Sequence, residues 1–335
     1  MLEIPLPTEA RSRDGISALA LWFPAAGSCQ LRTELLPKPS ANEVVVRTLF
    51  SGISRGTEKL VFAGKVPDSE AERMRGPNMG GNFSFPVKYG YSAVGIVEAG
   101  PAEFTGKTVF CLHPHQDVFV VAAEMVTPLP PDVPPARAVL AANMETALNI
   151  VWDAGVLPGD RVAVFGAGVV GALVAYIAAR IPGTDTILVD TQKKRQDLAT
   201  SLDIAFAQPD ALEGEFDVMI NATASADALA AALSHAGQEA RIVEASWYGD
   251  SSVPIPLGGA FHSRRLSIVG SQVGSIPPAR RARWDFARRL AKALDLLADP
   301  GLDALISGET PFADLETDYP DILARADTLC HRIRY

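Results

Sequence analysis

The sequence predicts an α/β protein: a doubly wound parallel sheet set into a β-rich domain built from both ends of the chain. Between residues 161 and 270 short apolar runs alternate with helical stretches. That alternation is the mark of a parallel sheet with right-handed crossovers. Before residue 125 the apolar runs are short and separated by Pro and Gly turns, as in antiparallel strands. After residue 270 the chain turns helical again and closes on one more strand-like run. On this reading residues 1–138 and 275–335 form the β-rich domain, and residues 139–274 form the parallel-sheet domain.

Taken in order, residues 17–23, 29–35, 43–50, 94–98, 108–112 and Val118–Ala122 read as strands. A cluster of prolines (Pro128, Pro130, Pro131, Pro134, Pro135) marks a boundary. Residues 136–154 read as one helix leading into the turn Pro158-Gly-Asp160. Strands are then expected at Arg161–Phe165, 186–190, 205–206, 217–221, 240–244 and 266–270, with helices at 168–180, 192–202 and 226–236. A helix at 278–298 and a strand at 329–334 close the chain. An active site is expected in the cleft between the domains, at the C-terminal edge of the parallel sheet.

A length of 335 residues allows two domains. The 48% apolar and 21% charged content is that of a globular protein rather than a disordered one. The longest apolar runs are shorter than a membrane span. The opening Met1-Leu-Glu-Ile-Pro-Leu-Pro7 lacks the basic and apolar regions of a signal peptide. Cys29, Cys111 and Cys330 are odd in number and widely spaced, which fits reduced thiols in a cytoplasmic protein. The net charge of −9 argues against nucleic acid as a partner. One basic cluster, 280–289, lies on an expected helix; it reads as a solvated face, with contact to a phosphate-bearing substrate as the alternative.

The most informative stretch is Arg161-Val-Ala-Val-Phe-Gly-Ala-Gly-Val-Val-Gly171, a short strand entering Gly166-x-Gly168-x-x-Gly171 and then a helix. This is the dinucleotide-binding fingerprint in its required context. Gly166 permits the tight turn, Gly168 lets backbone approach a pyrophosphate, and Gly171 lets helix and strand pack closely. Val169 and Val170 then stand at a helix N-terminus, whose free N–H groups favour phosphate. Asp190 ends the next strand-like run, 19 residues after Gly171, where an acid accepts from the adenosine ribose hydroxyls. The competing reading is a glycine-rich packing turn. Asp190 would repel a ribose 2′-phosphate, so the expected cofactor is NAD(H). Lys193, Lys194 and Arg195 follow closely and soften that preference.

With these residues in view, the chain resembles the medium-chain dehydrogenase/reductase superfamily, the zinc alcohol dehydrogenase-like proteins. The resemblance covers nearly the whole chain. Glu43-Val-Val-Val-Arg-Thr-Leu-Phe-Ser-Gly-Ile-Ser-Arg-Gly-Thr-Glu58 is similar to that family's strand and loop ending Ser-Gly-Ile-Cys-Gly-Thr-Asp. Lys88-Tyr-Gly-Tyr-Ser-Ala-Val-Gly-Ile-Val-Glu98 is similar to its Gly-His-Glu-x-x-Gly-x-Val segment, and Pro158-Gly-Asp160 to the usual approach to its nucleotide strand. The Ser-Gly-Ile-Ser-x-Gly-Thr-Glu variant resembles the branch containing bacteriochlorophyllide hydroxyethyl dehydrogenases. The resemblance implies a GroES-like catalytic domain carrying an inserted Rossmann domain.

It also implies a departure. The family's catalytic zinc ligands, a Cys, a His and a third acid or thiol, fall on Ser54 (or Arg55 in a shifted register), Tyr91 and a position near Ala142. These do not make a zinc site, which takes thiolate, imidazole or carboxylate ligands. The structural-zinc lobe is replaced by Gly76-Pro-Asn-Met-Gly-Gly-Asn-Phe-Ser84. No metal is therefore expected. A relocated site at Cys111, His113 and His115, with Glu145 added, is the alternative, against polar residues that merely line a cleft.

Without zinc, hydride transfer needs another way to stabilise the substrate oxygen. Tyr91 and Thr57 stand at or beside the vacated positions and can donate or relay a proton; packing in the cleft wall is the alternative for Tyr91. Arg55 supplies positive charge, either to the substrate or by contacting cofactor phosphates or Glu58. By resemblance, Thr146 lies near the nicotinamide, Ser246 borders it, Gln272 and Gly274 approach the carboxamide, Arg195 flanks the adenosine and Arg332 reaches the pyrophosphate. Glu145 either faces the cleft or caps a helix, and Trp247 and Tyr248 border the nicotinamide or join a dimer seam.

The sequence thus points to a zinc-independent, NAD(H)-linked oxidoreductase acting on a secondary alcohol/ketone pair, with a small-molecule substrate and no nucleic acid or membrane partner. A quinone or enone reductase of the same fold and a non-catalytic nucleotide-binding protein are the competing readings. A homodimer is expected, paired along residues 266–270 or 253–257, because an uncovered edge strand is a liability.

Overall fold

The computed structural model describes residues 15–335, so the opening segment Met1–Pro7 lies outside the described residues. The chain begins with β1 (Ile16–Ala25), β2 (Ser28–Leu36) and β3 (Glu43–Ser54), then α1 (Arg55–Phe62). The short strands β4 (Gly80–Gly81) and β5 (Val87–Lys88) precede β6 (Ala93–Ala99), β7 (Thr108–Cys111), β8 (Val118–Ala122) and β9 (Val126–Pro128). Next come α2 (Pro135–Ala138) and α3 (Ala141–Ala154).

The alternating region runs β10 (Arg161–Phe165), α4 (Val169–Ala178), β11 (Asp185–Val189), α5 (Arg195–Ser201), β12 (Ala205–Ala207), β13 (Phe216–Asn221), α6 (Ala226–His235) and β14 (Ala236–Glu244). It continues through α7 (Ala260–Ser263) to β15 (Ser267–Gly270). The tail holds α8 (Phe286–Leu296), β16 (Ile306–Pro311), α9 (Leu315–Ala324) and β17 (Cys330–Arg334).

The six strands β10–β15 form one parallel sheet in the order β12-β11-β10-β13-β14-β15. This order reverses at β10, between β11 and β13, and such a switch point opens a crevice at the strands' carboxyl ends. β10 is covered on both faces: Val162, Ala163, Val164 and Phe165 are all buried. Burying each valine fully contributes about 1.5–3 kcal/mol, which explains why β10 reads as an unbroken apolar run. α3 and α4 pack on one face, where Met144, Ala147, Ile150, Leu173 and Val174 meet Val162 and Val164 in one core cluster. α3 stops at Gly155, which takes the left-handed conformation with φ of 68°.

A second sheet runs β16-β17-β3-β6-β7-β9, with β8 added on β3. β17 pairs antiparallel with β3, so strands from both sides of the parallel-sheet region share one sheet. β1, β2, β4 and β5 form a third.

Several expectations need correction. The helix expected over 136–154 breaks at Val139 and Leu140, because the Val139 carbonyl accepts the Ser92 hydroxyl instead of continuing the helical ladder. The helix expected over 192–202 begins only at Arg195. That expected over 278–298 begins only at Phe286, where the Asp285 side chain caps by accepting from the Arg288 N–H at 2.7 Å. The region after residue 270 also contains β16 and α9, which the sequence reading did not anticipate. β16 (Ile-Ser-Gly-Glu-Thr-Pro) has too little apolar alternation to announce itself.

Candidate active site

The glycine loop sits at the switch point, between β10 and α4. Gly166 has φ of 102°, and a side chain there would meet Thr223 Cγ2 at 2.9 Å and the Ala222 carbonyl at 3.0 Å. A Cβ on Gly171 would lie 1.9 Å from the Gly166 carbonyl oxygen. Gly168 differs: a Cβ there meets nothing within 4 Å. Two glycines are thus required by the protein's own packing, while the third faces open space at the N-cap of α4. Val169 and Val170 follow as the first helical residues and are partly exposed. An open cradle before free helical N–H groups fits a phosphate-bearing nucleotide.

Asp190 closes one side of this cradle. Its carboxylate accepts from the Ala167 N–H and the Gln192 N–H, both at 2.8 Å. It therefore ties the glycine loop to the end of β11. Arg195 is 7% exposed and donates to the Ala326 carbonyl at 3.1 Å. Its Nε is buried without a hydrogen-bond partner among the described residues. Burial holds its pKa below the ordinary value, Asp190 opposes that, and the charge of Arg55 adds to the lowering. Arg55 therefore lies within electrostatic reach of Arg195. It does not contact Glu58, whose carboxylate accepts instead from the Ser54 N–H (2.7 Å) and Tyr319 (2.6 Å) and meets His115 Nε2 at 3.0 Å.

The positions expected from the family resemblance to hold zinc ligands carry hydroxyls at Ser54 and Tyr91, with Thr57 beside them. Tyr91 is partly buried, with Ser54 and Thr57 near enough to its phenol to oppose part of the rise in its pKa. Asn143, buried on α3, donates to Ser54 Oγ at 3.0 Å. Burial first, then the Glu58 carboxylate, raises the Tyr91 pKa well above that of a free phenol. The group stays protonated and is a donor rather than a base. Asn143 was missed as a site residue; its signal was its place one helical turn before Thr146.

These residues do not fit zinc. Ser54, Tyr91 and Ala142 provide neither thiolate, imidazole nor carboxylate. Nor do Cys111, His113 and His115 converge. Cys111 is buried and its thiol pKa is pushed up to about 12 by desolvation. His113 stacks on Phe119 at 3.9 Å and bonds the Pro114 carbonyl, while His115 lies between Glu58 and Ser51. Among the described residues no group of three or more His, Cys, Asp or Glu side chains is arranged to hold a metal ion.

Around the expected nicotinamide end, Thr146 bonds back to the Ala142 carbonyl at 2.9 Å within α3. Ser246 accepts from the Ala224 N–H at 2.9 Å. Gln272 accepts from the Gly274 N–H at 2.5 Å and its amide reaches toward Met74. Tyr248 joins Asn221 and Glu244, both at 3.1 Å, and Trp247 is partly buried beside it.

Glu145 is neither a cap nor free in the cleft: it lies inside α3, buried, and pairs with Arg289 at 3.0 Å. Burial raises its pKa, opposed by Arg289. Arg289 thereby corrects the reading of 280–289 as a solvated face, since it is 2% exposed. Arg332 donates to Glu309 at 2.6 Å and to the Ala136 carbonyl at 3.3 Å.

No protein-family model matches the chain. Among curated proteins, it is similar to a probable D-xylulose reductase A of Aspergillus niger, with 27% identity over 247 residues. That match covers 68% of this chain and 66% of the relative, just under two thirds of its length. A 2-desacetyl-2-hydroxyethyl bacteriochlorophyllide A dehydrogenase of Rhodobacter capsulatus is 23% identical over 311 residues, covering 88% of this chain and 90% of that one. L-idonate 5-dehydrogenase of Escherichia coli shares the fold with a TM-score of 0.78 at 16% identity, covering 96% of this chain and 99% of that one.

Two further neighbours were solved with nicotinamide nucleotides. A putative zinc-binding dehydrogenase of Sinorhizobium meliloti bound to NADP has a TM-score of 0.74 at 18% identity, covering 96% of this chain and all of that one. An alcohol dehydrogenase of E. coli complexed with NADH has a TM-score of 0.75 at 16% identity, covering 95% of this chain and all of that one.

Proposed function

Starting from an alcohol dehydrogenase-like chain of the medium-chain dehydrogenase/reductase type, with GroES-like and Rossmann parts, we propose that it interconverts a secondary alcohol and a ketone with NAD(H) and without zinc. The observation that carries this reading is the coexistence of an open nucleotide cradle at Gly168 with a hydroxyl cluster at the vacated metal positions. The domains would divide near residues 138 and 275.

The α4 N-terminus, through Val169 and Val170, would hold the pyrophosphate, with Arg55 and the unpartnered Nε of Arg195 nearby. Asp190 would accept from the ribose hydroxyls, and its charge favours NAD(H) over NADP(H). Thr146, Ser246, Gln272 and Gly274 would border the nicotinamide. When bound, the cofactor supplies the hydride donor or acceptor.

Tyr91 would donate a hydrogen bond to the substrate oxygen, taking the place of a Lewis acid. Its raised pKa keeps it protonated, so it would serve as a hydrogen-bond donor to the oxygen as negative charge develops there. Ser54 and Thr57 would lie beside the phenol, and Asn143 donates to Ser54. A homodimer would cover the edge strand β15 and the neighbouring Ile255 and Leu257, which are 41% and 46% exposed.

The test is metal analysis of the purified protein together with NADH-linked reduction of a ketone panel before and after chelation. The proposal expects substoichiometric zinc and unchanged turnover. Stoichiometric zinc, with activity lost on chelation and restored by zinc, refutes the zinc-free mechanism. Tight NADH binding without turnover on any substrate favours a non-catalytic nucleotide-binding protein.

A further inference from the structure

The largest fully buried side chain of the described residues is a cation, Arg289 on the first turn of α8. Each of its three guanidinium nitrogens donates a hydrogen bond. Nε donates to Glu145 at 3.0 Å, Nη1 to Asn149 Oδ1 at 2.5 Å and Nη2 to the Val273 carbonyl at 2.6 Å. Glu145 and Asn149 lie one turn apart on α3. Val273 belongs to the segment that leaves β15.

The same segment is fixed at each preceding residue. Ser271 donates to Asp153 at 2.7 Å, and the Gln272 carbonyl accepts from Asn149 at 3.5 Å. Asn149 also donates to Asp153 at 3.0 Å. Three consecutive residues after β15 are thus tied to one face of α3, Ser271 and Gln272 directly and Val273 through Arg289. The opposite end of that helix carries Asn143, which holds Ser54.

Packing alone does not call for an arginine here. A buried ion pair is often matched or bettered in stability by apolar residues of similar volume. A planar fork does what an apolar side chain cannot: it fixes several acceptors in defined directions. We propose that Arg289 is a positioning residue that sets the segment 271–274 against α3 and so shapes the nicotinamide end of the cofactor site. The inference rests on the nucleotide reading given above. It assigns Arg289 no contact with substrate or cofactor; it acts through Val273 and Glu145.

The experiment compares two ligands on the full-length protein by calorimetric titration. NADH carries the nicotinamide, whereas ADP-ribose shares its adenosine and pyrophosphate but lacks the ring. Arg289→Met removes the three directed bonds while keeping an apolar stem. Arg289→Lys keeps the charge beside Glu145 but cannot reach Asn149 and Val273 together. Both variants are expected to bind ADP-ribose within about twofold of the wild type and NADH roughly tenfold more weakly, a loss of about 1.4 kcal/mol.

Equal losses for both ligands would reduce Arg289 to general support of the fold and overturn the proposal. So would unchanged affinity for both. If Arg289→Met melts before it can be titrated, the lysine variant decides by the same comparison. A wild-type protein that binds neither ligand would instead refute the nucleotide reading itself.

Discussion

Replacing Gly168 by alanine separates nucleotide binding from folding. Gly168 has φ of −76° and ψ of −178°, a conformation alanine adopts without strain, and the added methyl meets no heavy atom within 4 Å. Two small terms act on stability. Alanine at an N-cap costs about 1 kcal/mol relative to a favoured capping residue, and removing glycine's freedom in the unfolded chain returns about 0.4–1 kcal/mol. The terms nearly cancel, so the melting temperature should stay within a few degrees of the wild type. On the proposed reading the methyl would occupy space a pyrophosphate needs, and NADH affinity should fall tenfold or more, at least about 1.4 kcal/mol.

Gly171→Ala is the contrasting control. Its methyl would sit 1.9 Å from the Gly166 carbonyl oxygen, and overpacking of that kind typically costs about 1–3 kcal/mol. It should lower the melting temperature and bind poorly because the loop is displaced. NADH fluorescence titration and thermal melting, run on both variants, read the two effects independently. Wild-type NADH affinity in Gly168→Ala would refute the assignment of that open cradle to phosphate.

Tyr91→Phe should reduce turnover about a hundredfold, the typical loss for one oxyanion donor, and leave NADH affinity unchanged; full activity would pass the donor role to Thr57 or Arg55. NADH should bind more tightly than NADPH, and tighter NADPH binding in the wild type defeats the cofactor assignment. Asp190→Ala should narrow that difference and also weaken both cofactors, since it releases the Ala167 N–H. Burial lowers the His113 pKa from 6.5 to about 3. The unfolded chain therefore takes up a proton that the folded chain refuses. His113 thus favours the fold fully above pH 6.5 and loses that contribution as the pH falls toward 3, by about 2 kcal/mol at pH 5. Denaturant titrations at pH 7.5 and pH 5 should show a smaller acid loss in His113→Gln than in the wild type; equal losses would show that His113 is not the group responsible. Light scattering at micromolar concentration should give a dimer, and a monomer would end the proposal that β15 is covered by a second copy.

The parallel sheet was legible because its signals are local. β10 is apolar on both faces, the glycine spacing is fixed by close approach at Gly166 and Gly171, and Asp190 follows at the end of the next strand. The hydroxyl cluster was half legible: Ser54, Thr57 and Tyr91 were named from the vacated ligand positions and do come together. Asn143 and Arg289 were not legible as site-supporting residues. Each acts through a partner far away in sequence, and nothing in a run of arginines tells the one that turns inward from its exposed neighbours. The pairing of His115 with Glu58 and Tyr319 was hidden for the same reason, with Tyr319 coming from α9. The break at Val139 depends on the Ser92 hydroxyl, which no local pattern at residue 139 reveals.

The pairing of β17 with β3 carries a consequence for biosynthesis. β3 ends at Ser54, while its neighbour β17 begins only at Cys330. On the ribosome, the parallel sheet between them has all its strands by Gly270, and a unit of mostly sequential strands and helices can form as it emerges. The older N-terminal sheet must wait with one edge of β3 open until the last strand arrives. Nascent chains stalled once Gly270 has cleared the exit tunnel, but before β17 has, should therefore bind nucleotide before the β-rich part resists protease, and chains cut before β17 should aggregate through that open edge.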